Sequence, residues 1–145
     1  MKLQILFGAA LALAAVQAQA TNYADVHITY MQPAAADTIW SREKQVTPLY
    51  PLELARKGVI GCGVFNVSID ENGKATEVSL VSSVPEKVIA RPASKVIRDW
   101  QWVNNSSQAN APEQKLIRLD FCMGGSTMEE AQARCQVQAT AACQG

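Results

Sequence analysis

Several features that would point to catalysis or nucleic-acid binding are missing from this sequence. Lys plus Arg and Asp plus Glu each number 13, so the formal net charge is zero. That balance argues against a nucleic-acid binder working through a bulk basic field. His27 is the single histidine, no Cys-x-x-Cys pair occurs, and no Gly-rich phosphate loop is present. Metal ligation by the usual Cys/His spacings is therefore not expected, nor is any cofactor. His27 has Asp25 two residues before it, but no nucleophile is marked for that imidazole, so no catalytic residue is expected. After the first twenty residues there is no apolar run long enough to span a membrane, no Pro-rich stretch and no internal repeat.

The first twenty residues are a different matter. Lys2 supplies a minimal positive start, Leu3 to Val16 is apolar, and Ala18-Gln19-Ala20 is a small-x-small signal. This predicts an export signal over 1–20, cut before Thr21, and a mature protein in the periplasm. The competing reading is an uncleaved anchor, for which the run is short against the roughly 20 residues a span requires. In an exported chain the even set Cys62, Cys122, Cys135 and Cys143 reads as two disulfides.

Residues 21–47 form an arm with a short strand-like run from Val26 to Tyr30, followed by a partly helical or loosely docked stretch. Pro48 to Lys57 reads as a short helix, with Pro51 in its first turn, Gly58 as its C-terminal cap, and Leu52 and Ala55 on one face. Gly63 to Ile69 alternates, with Phe65, Val67 and Ile69 on one side. Asn72-Gly73 then marks a hairpin, and Ala75 to Val81 is the return strand. Arg91 to Trp100 carries Ala93, Val96, Ile97 and Trp100 at helical spacing. A polar loop from Asn104 to Pro112 leads to a third strand, Lys115 to Cys122, with Ile117, Leu119 and Phe121 inward and Leu116, Arg118 and Asp120 outward. Gly124-Gly125 ends it. Overlapping capping boxes at Ser126 and Thr127, with Glu129 and Glu130, open a helical tail over 128–142. The expected fold is α+β: a three-stranded antiparallel sheet of order 2-1-3, both helices on one face, and a Cys-containing tail over 123–145.

These pieces, in this order, resemble the C-terminal domain of TonB, the energy transducer of Gram-negative outer-membrane uptake. The resemblance rests on Tyr50-Pro51, Ala55, Gly58, Gly61, the Asp70–Gly73 turn, Val78 to Val81, Ser82 or Ser83, Trp100-Gln101-Trp102 and Leu116 to Phe121. It covers Pro48 to Cys122. Tyr50, Pro51, Gly58, Gly61, Asn72, Gly73, Trp100 and Trp102 read as architectural. The family binds a short peptide of an outer-membrane receptor by adding it as a strand beside its last strand. The resemblance thus implies a partner-binding surface at Lys115, Leu116, Ile117, Arg118, Leu119, Asp120 and Phe121, an edge in the 2-1-3 order. It also implies a periplasmic or outer-membrane protein partner, and no enzyme. The membrane helix and Pro-rich spacer of a full transducer are not expected here. A membrane-anchored transducer, an accessory subunit and a strand-paired homodimer are the alternatives.

The sequence leaves the cysteine pairing open. Antiparallel return brings the end of the third strand near the start of the first, which favours Cys62 with Cys122 and leaves Cys135 with Cys143. Eight residues on an unbroken helix span about 12 Å, whereas a disulfide needs Cα atoms within about 7 Å. Either the helix ends soon after Cys135, or the pairing is crossed and the tail is stapled to the sheet.

Overall fold

The structure, a computed structural model, describes residues 22–144. The apolar leader and the cut expected before Thr21 lie outside the described residues. Alternation of apolar and polar residues builds the centre of the sheet. β3 (Gly61–Ile69) turns Phe65, Val67 and Ile69 to one face, and all three are buried. β4 (Ala75–Val84) returns antiparallel to it, with Val67 opposite Val78. β6 (Glu113–Met123) runs antiparallel to β3 on its other side and places Ile117, Leu119 and Phe121 on the same buried face. Full burial of each such side chain stabilises by about 1.5–3 kcal/mol.

The hairpin turn is wider than Asn-Gly alone predicts. Gly73 takes a positive φ of 77°, whereas Asn72 does not. The Gly73 N–H donates to the Asp70 carbonyl (3.0 Å), and Asp70 Oδ1 accepts from the N–H groups of Asn72 and Lys74, both at 2.9 Å. The short Asp70 carboxylate thus organises a three-residue loop that ends on a left-handed glycine.

Helices α1 (Leu52–Arg56) and α2 (Ala90–Arg98) cover the core face, as expected. Leu54 is the residue α1 buries, while Leu52 is exposed; the helix is too short to carry the Leu52/Ala55 stripe. From α2, Ile97 and Ala93 enter the core, and Ile89 just before it does the same.

Two features correct the expected sheet. β1 (Ala24–Gln32), the strand-like run of the arm, joins as a fourth strand, antiparallel to β6 from Ala24 opposite Met123 to Tyr30 opposite Ile117. The order is β1-β6-β3-β4. The predicted 2-1-3 order survives inside it as β4-β3-β6. Second, the stretch expected to be helical or loosely docked contains β2 (Trp40–Arg42), which pairs with β5 (Trp102–Asn104) in a small separate sheet. Trp40 is almost fully buried, and its indole N–H donates to the Ala111 carbonyl at 2.9 Å. A large aromatic with a satisfied N–H holds this stretch to the core better than helix propensity could release it.

The turn and the small sheet meet at Gly73. A Cβ there would lie 2.7 Å from the Trp102 carbonyl and 2.8 Å from Trp40 Cζ3. Gly73→Ala therefore strains the backbone and crowds both tryptophans. A loss of about 1–3 kcal/mol is expected from urea unfolding; an unchanged midpoint would mean that the turn does not pack as described.

Candidate functional site

The strand expected to meet a partner is interior. β6 has β3 on one side and β1 on the other, so its main-chain ladder is taken up within the chain. Ile117, Leu119 and Phe121 are core residues, as expected. Lys115, Arg118 and Asp120 are buried and Leu116 half-buried, so none of the outward set lies on an open edge. This corrects the reading of Lys115 to Phe121 as an open pairing surface. Its cause is β1, whose pairing with a strand about ninety residues downstream leaves no local trace.

What covers Arg118 and Asp120 is the tail. α3 (Met128–Gln138) opens with Thr127, whose hydroxyl accepts from the Glu130 N–H (3.2 Å), while Glu130 Oε2 accepts from the Ser126 N–H (2.6 Å). The capping pattern read from the sequence is thus realised through Glu130. Ala131 and Cys135 are buried on the face of α3 that lies over β1 and β6. The Arg118 guanidinium binds Asp120 through two hydrogen bonds, of 2.8 and 2.9 Å. Two of its three remaining N–H groups donate to the carbonyls of Ala141 (2.7 Å) and Gln138 (3.0 Å). The Gln138 side-chain amide donates to Asp120 Oδ1 (3.1 Å) and to the Gly61 carbonyl (2.7 Å). The Arg118–Asp120 contact is bidentate, and every bond here except that to Gly61 is charge-assisted, the strong kind. They work as a fastener between sheet and tail.

Both disulfides join the same layers. The bonds are Cys62–Cys143 and Cys122–Cys135, which replaces the favoured pairing by the crossed one. Cys62 stands opposite Asp120, so Cys122 is its diagonal neighbour. Diagonal residues are about 7–8 Å apart, beyond the reach of a disulfide. The helix ends at Gln138, and the tail turns back to deliver Cys143. In the chain-entropy account, loops of 13 and 81 residues contribute about 3 and about 4.5 kcal/mol.

A second polar cluster anchors the small sheet. Lys115 Nζ lies 2.7 Å from Glu113 and also binds Thr38 Oγ1. Glu113 accepts from the Ile39 N–H at 2.7 Å. Burial alone would push the Glu113 carboxyl up, but the hydrogen bond from Lys115, that from the Ile39 N–H and the Lys115 charge together outweigh it and hold it below its ordinary value. Arg42 lies 4.4 Å above the Trp100 ring, and Trp100 meets Trp102 edge-on at 6.0 Å.

The residues expected to be architectural have structural contacts. The Tyr50 hydroxyl donates to the Val59 carbonyl (2.5 Å), and its ring packs edge-on against Phe121. Burial pushes its phenol up to about 12. Pro51 is the N-cap of α1, and Gly58 follows that helix with a positive φ of 61°. Gly61, at φ 149°, opens β3, and its Cβ would collide with the Val84 carbonyl. Sequence reasoning missed the groove along the free side of β1, lined in part by Val26, Ile28, Arg42 and Gln132, with a volume of about 310 Å³. Asp25 and His27 also line it; the period-2 pairing of those two polar residues was the available signal.

Among the described residues, no cluster of three or more His, Cys, Asp or Glu side chains is placed to hold a metal, and no helix is long and apolar enough to cross a membrane. The geometry defines a small α+β sheet domain whose buried charges fasten its own layers and whose two outer strands end the sheet. The chain belongs to the family described as Gram-negative bacterial TonB protein C-terminal, whose model matches residues 46–122. It is similar to the protein TonB of Yersinia enterocolitica, 30% identical over 80 residues, which are 55% of this chain and 29% of that protein. The match therefore spans less than a third of that relative. The solution structure of the Pseudomonas aeruginosa TonB C-terminal domain is 18% identical, covers 66% of this chain and 92% of that one, and superposes with a TM-score of 0.40. β1 and α3 lie outside the family-matched residues.

Two outcomes follow from the polar clusters. Arg118→Met leaves Asp120 charged and unpaired in a buried place, so a loss of about 3–5 kcal/mol is expected from urea unfolding. The double variant Arg118→Met/Asp120→Leu should recover most of it, because breaking a buried pair costs more than replacing it; no recovery would contradict the pairing. Glu113 has a lowered folded pKa, so its stabilisation is present above its ordinary value of 4.5 and is lost as pH falls through the folded value. Glu113→Gln should flatten that acid limb of the stability curve, and an unaltered limb would contradict it.

Proposed function

We propose that this protein is a periplasmic recognition module of the TonB C-terminal type, and that it binds an extended segment of an envelope partner by strand pairing. Membership of the family supports the class, and outer-membrane receptors are the partners that membership suggests. One observation carries the binding mode. β6, the last strand of the family-matched part, already holds an added strand: β1, supplied from outside that part, pairs along it in the antiparallel sense. Main-chain ladders of this kind give affinity, and alternate side chains give selectivity. In this chain, however, that strand position is filled from within, so a partner must use another edge.

A homodimer or accessory subunit is the second reading. The free edge β4 favours it, since Leu80 and Val81 are exposed there and Glu77 is its one charged residue.

The test is calorimetric titration of the oxidised protein with synthetic peptides from the periplasm-facing segments of outer-membrane receptors. Saturable binding at one peptide per protein is expected, with a favourable enthalpy from main-chain hydrogen bonds. A stable dimer on gel filtration that takes up no peptide would overturn the peptide-binding reading in favour of the second.

A further inference from the structure

We infer that the partner's segment adds to the outer side of β1, in the groove between α3 and residues 42–48, and that the segment is extended, polar and uncharged. This rests on the strand-pairing reading above and names its edge. The main chain supplies the first argument. The Gly124 N–H donates to the Tyr23 carbonyl at 2.8 Å. In an antiparallel pair, bonded and non-bonded residues alternate. Asp25, His27 and Thr29, opposite Cys122, Asp120 and Arg118, therefore turn their main-chain groups toward β6. Val26 and Ile28 turn theirs the other way, to the side where no strand pairs with β1.

The second argument is the setting of those groups. They face a groove of about 310 Å³, walled on one side by Gln132 and Gln136 of α3 and on the other by Gln45 and Thr47. Gln132 and Gln136 are one helical turn apart, and their neighbour Cys135 is bonded to Cys122. That disulfide sets where the wall stands. It also helps hold β1 in place, because α3 lies across β1 and β6 together. A partner thus adds to β1 and does not replace it.

The third argument is charge. The walls are amides and a hydroxyl, which both donate and accept. The groove's charged side chains are Asp25 and Arg42, one of each sign and both nearly buried. Arg42 is already engaged, donating to the Val46 carbonyl at 3.1 Å and lying on the Trp100 face. No net charge is left to select a charged strand. Peptide amides and Ser, Thr, Asn or Gln side chains are the groups such walls satisfy. The groove depends on β1 and α3, both of which lie outside the family-matched residues, as does β2 with Arg42.

The experiment uses the oxidised, isotope-labelled full chain. The probe is a set of synthetic dodecapeptides chosen on it from a random displayed library. On binding, the amide signals of Val26 and Ile28 should shift and gain protection from hydrogen exchange. Gln132→Trp and Gln136→Trp change exposed positions and should keep the melting temperature, yet weaken binding by about tenfold or more by blocking the ladder. If the signals instead move along residues 75–84 and both tryptophan variants bind as the parent does, the assignment of the edge fails and the strand-pairing reading stands. If no peptide is selected and signals move only with protein concentration, a second copy is the occupant and both readings fail.

Discussion

The structure depends on burying one ion pair. Arg118 and Asp120 project from the face of β6 opposite the hydrophobic core, and a buried pair of this sort is tolerable only when further donors and acceptors surround it. The carbonyls of Gln138 and Ala141 and the Gln138 amide supply them. This is what calls the tail back over the sheet, where it brings Cys135 and Cys143 within reach of Cys122 and Cys62. A small apolar cluster around Cys62, Val64 and Cys143 closes over the same face. The sheet therefore lies between two layers, a helical one over the main core and a stapled one over the ion pair.

That second layer changes what the family fold offers a partner. Within the matched residues alone, β6 would be an edge. The chain fills that edge with β1 and then lays α3 across the join. Each addition supports the other: β1 extends the surface on which α3 rests, and the Cys122–Cys135 bond keeps α3 over β1. The cost is the pairing position itself, and in exchange the outer side of β1 becomes the floor of a walled groove. The groove's walls are polar and its charges are balanced or engaged, so recognition there would run through main-chain and amide hydrogen bonds.

The core hairpin, the helix around Ala93 and Ile97, and the inward set Ile117, Leu119 and Phe121 were legible from periodicity, because each is a local repeat facing one core. The order β4-β3-β6 was legible for the same reason. The outward set was misread because alternation cannot tell a face turned to water from a face turned to a second layer; Arg118 and Asp120 look like solvated edge residues by pattern alone. Trp40 was missed because its partners, Ala111 and the Gly73 turn, are far away in the chain. The disulfides, Cys62–Cys143 and Cys122–Cys135, are the crossed alternative and not the pairing that strand proximity favours. Two residues of register separate a direct neighbour from a diagonal one on the same face, and strand register across a long connection is set by tertiary packing.

Hydrogen exchange along β6 in the free, oxidised protein tests the central claim most directly. Ile117 and Leu119 turn their amides toward β3, while Arg118 and Asp120 turn theirs toward β1. If the chain fills its own edge, all four amides exchange slowly and to a similar degree. Rapid exchange at Arg118 and Asp120, with slow exchange at Ile117 and Leu119, would show β6 to be an open edge and would contradict the account.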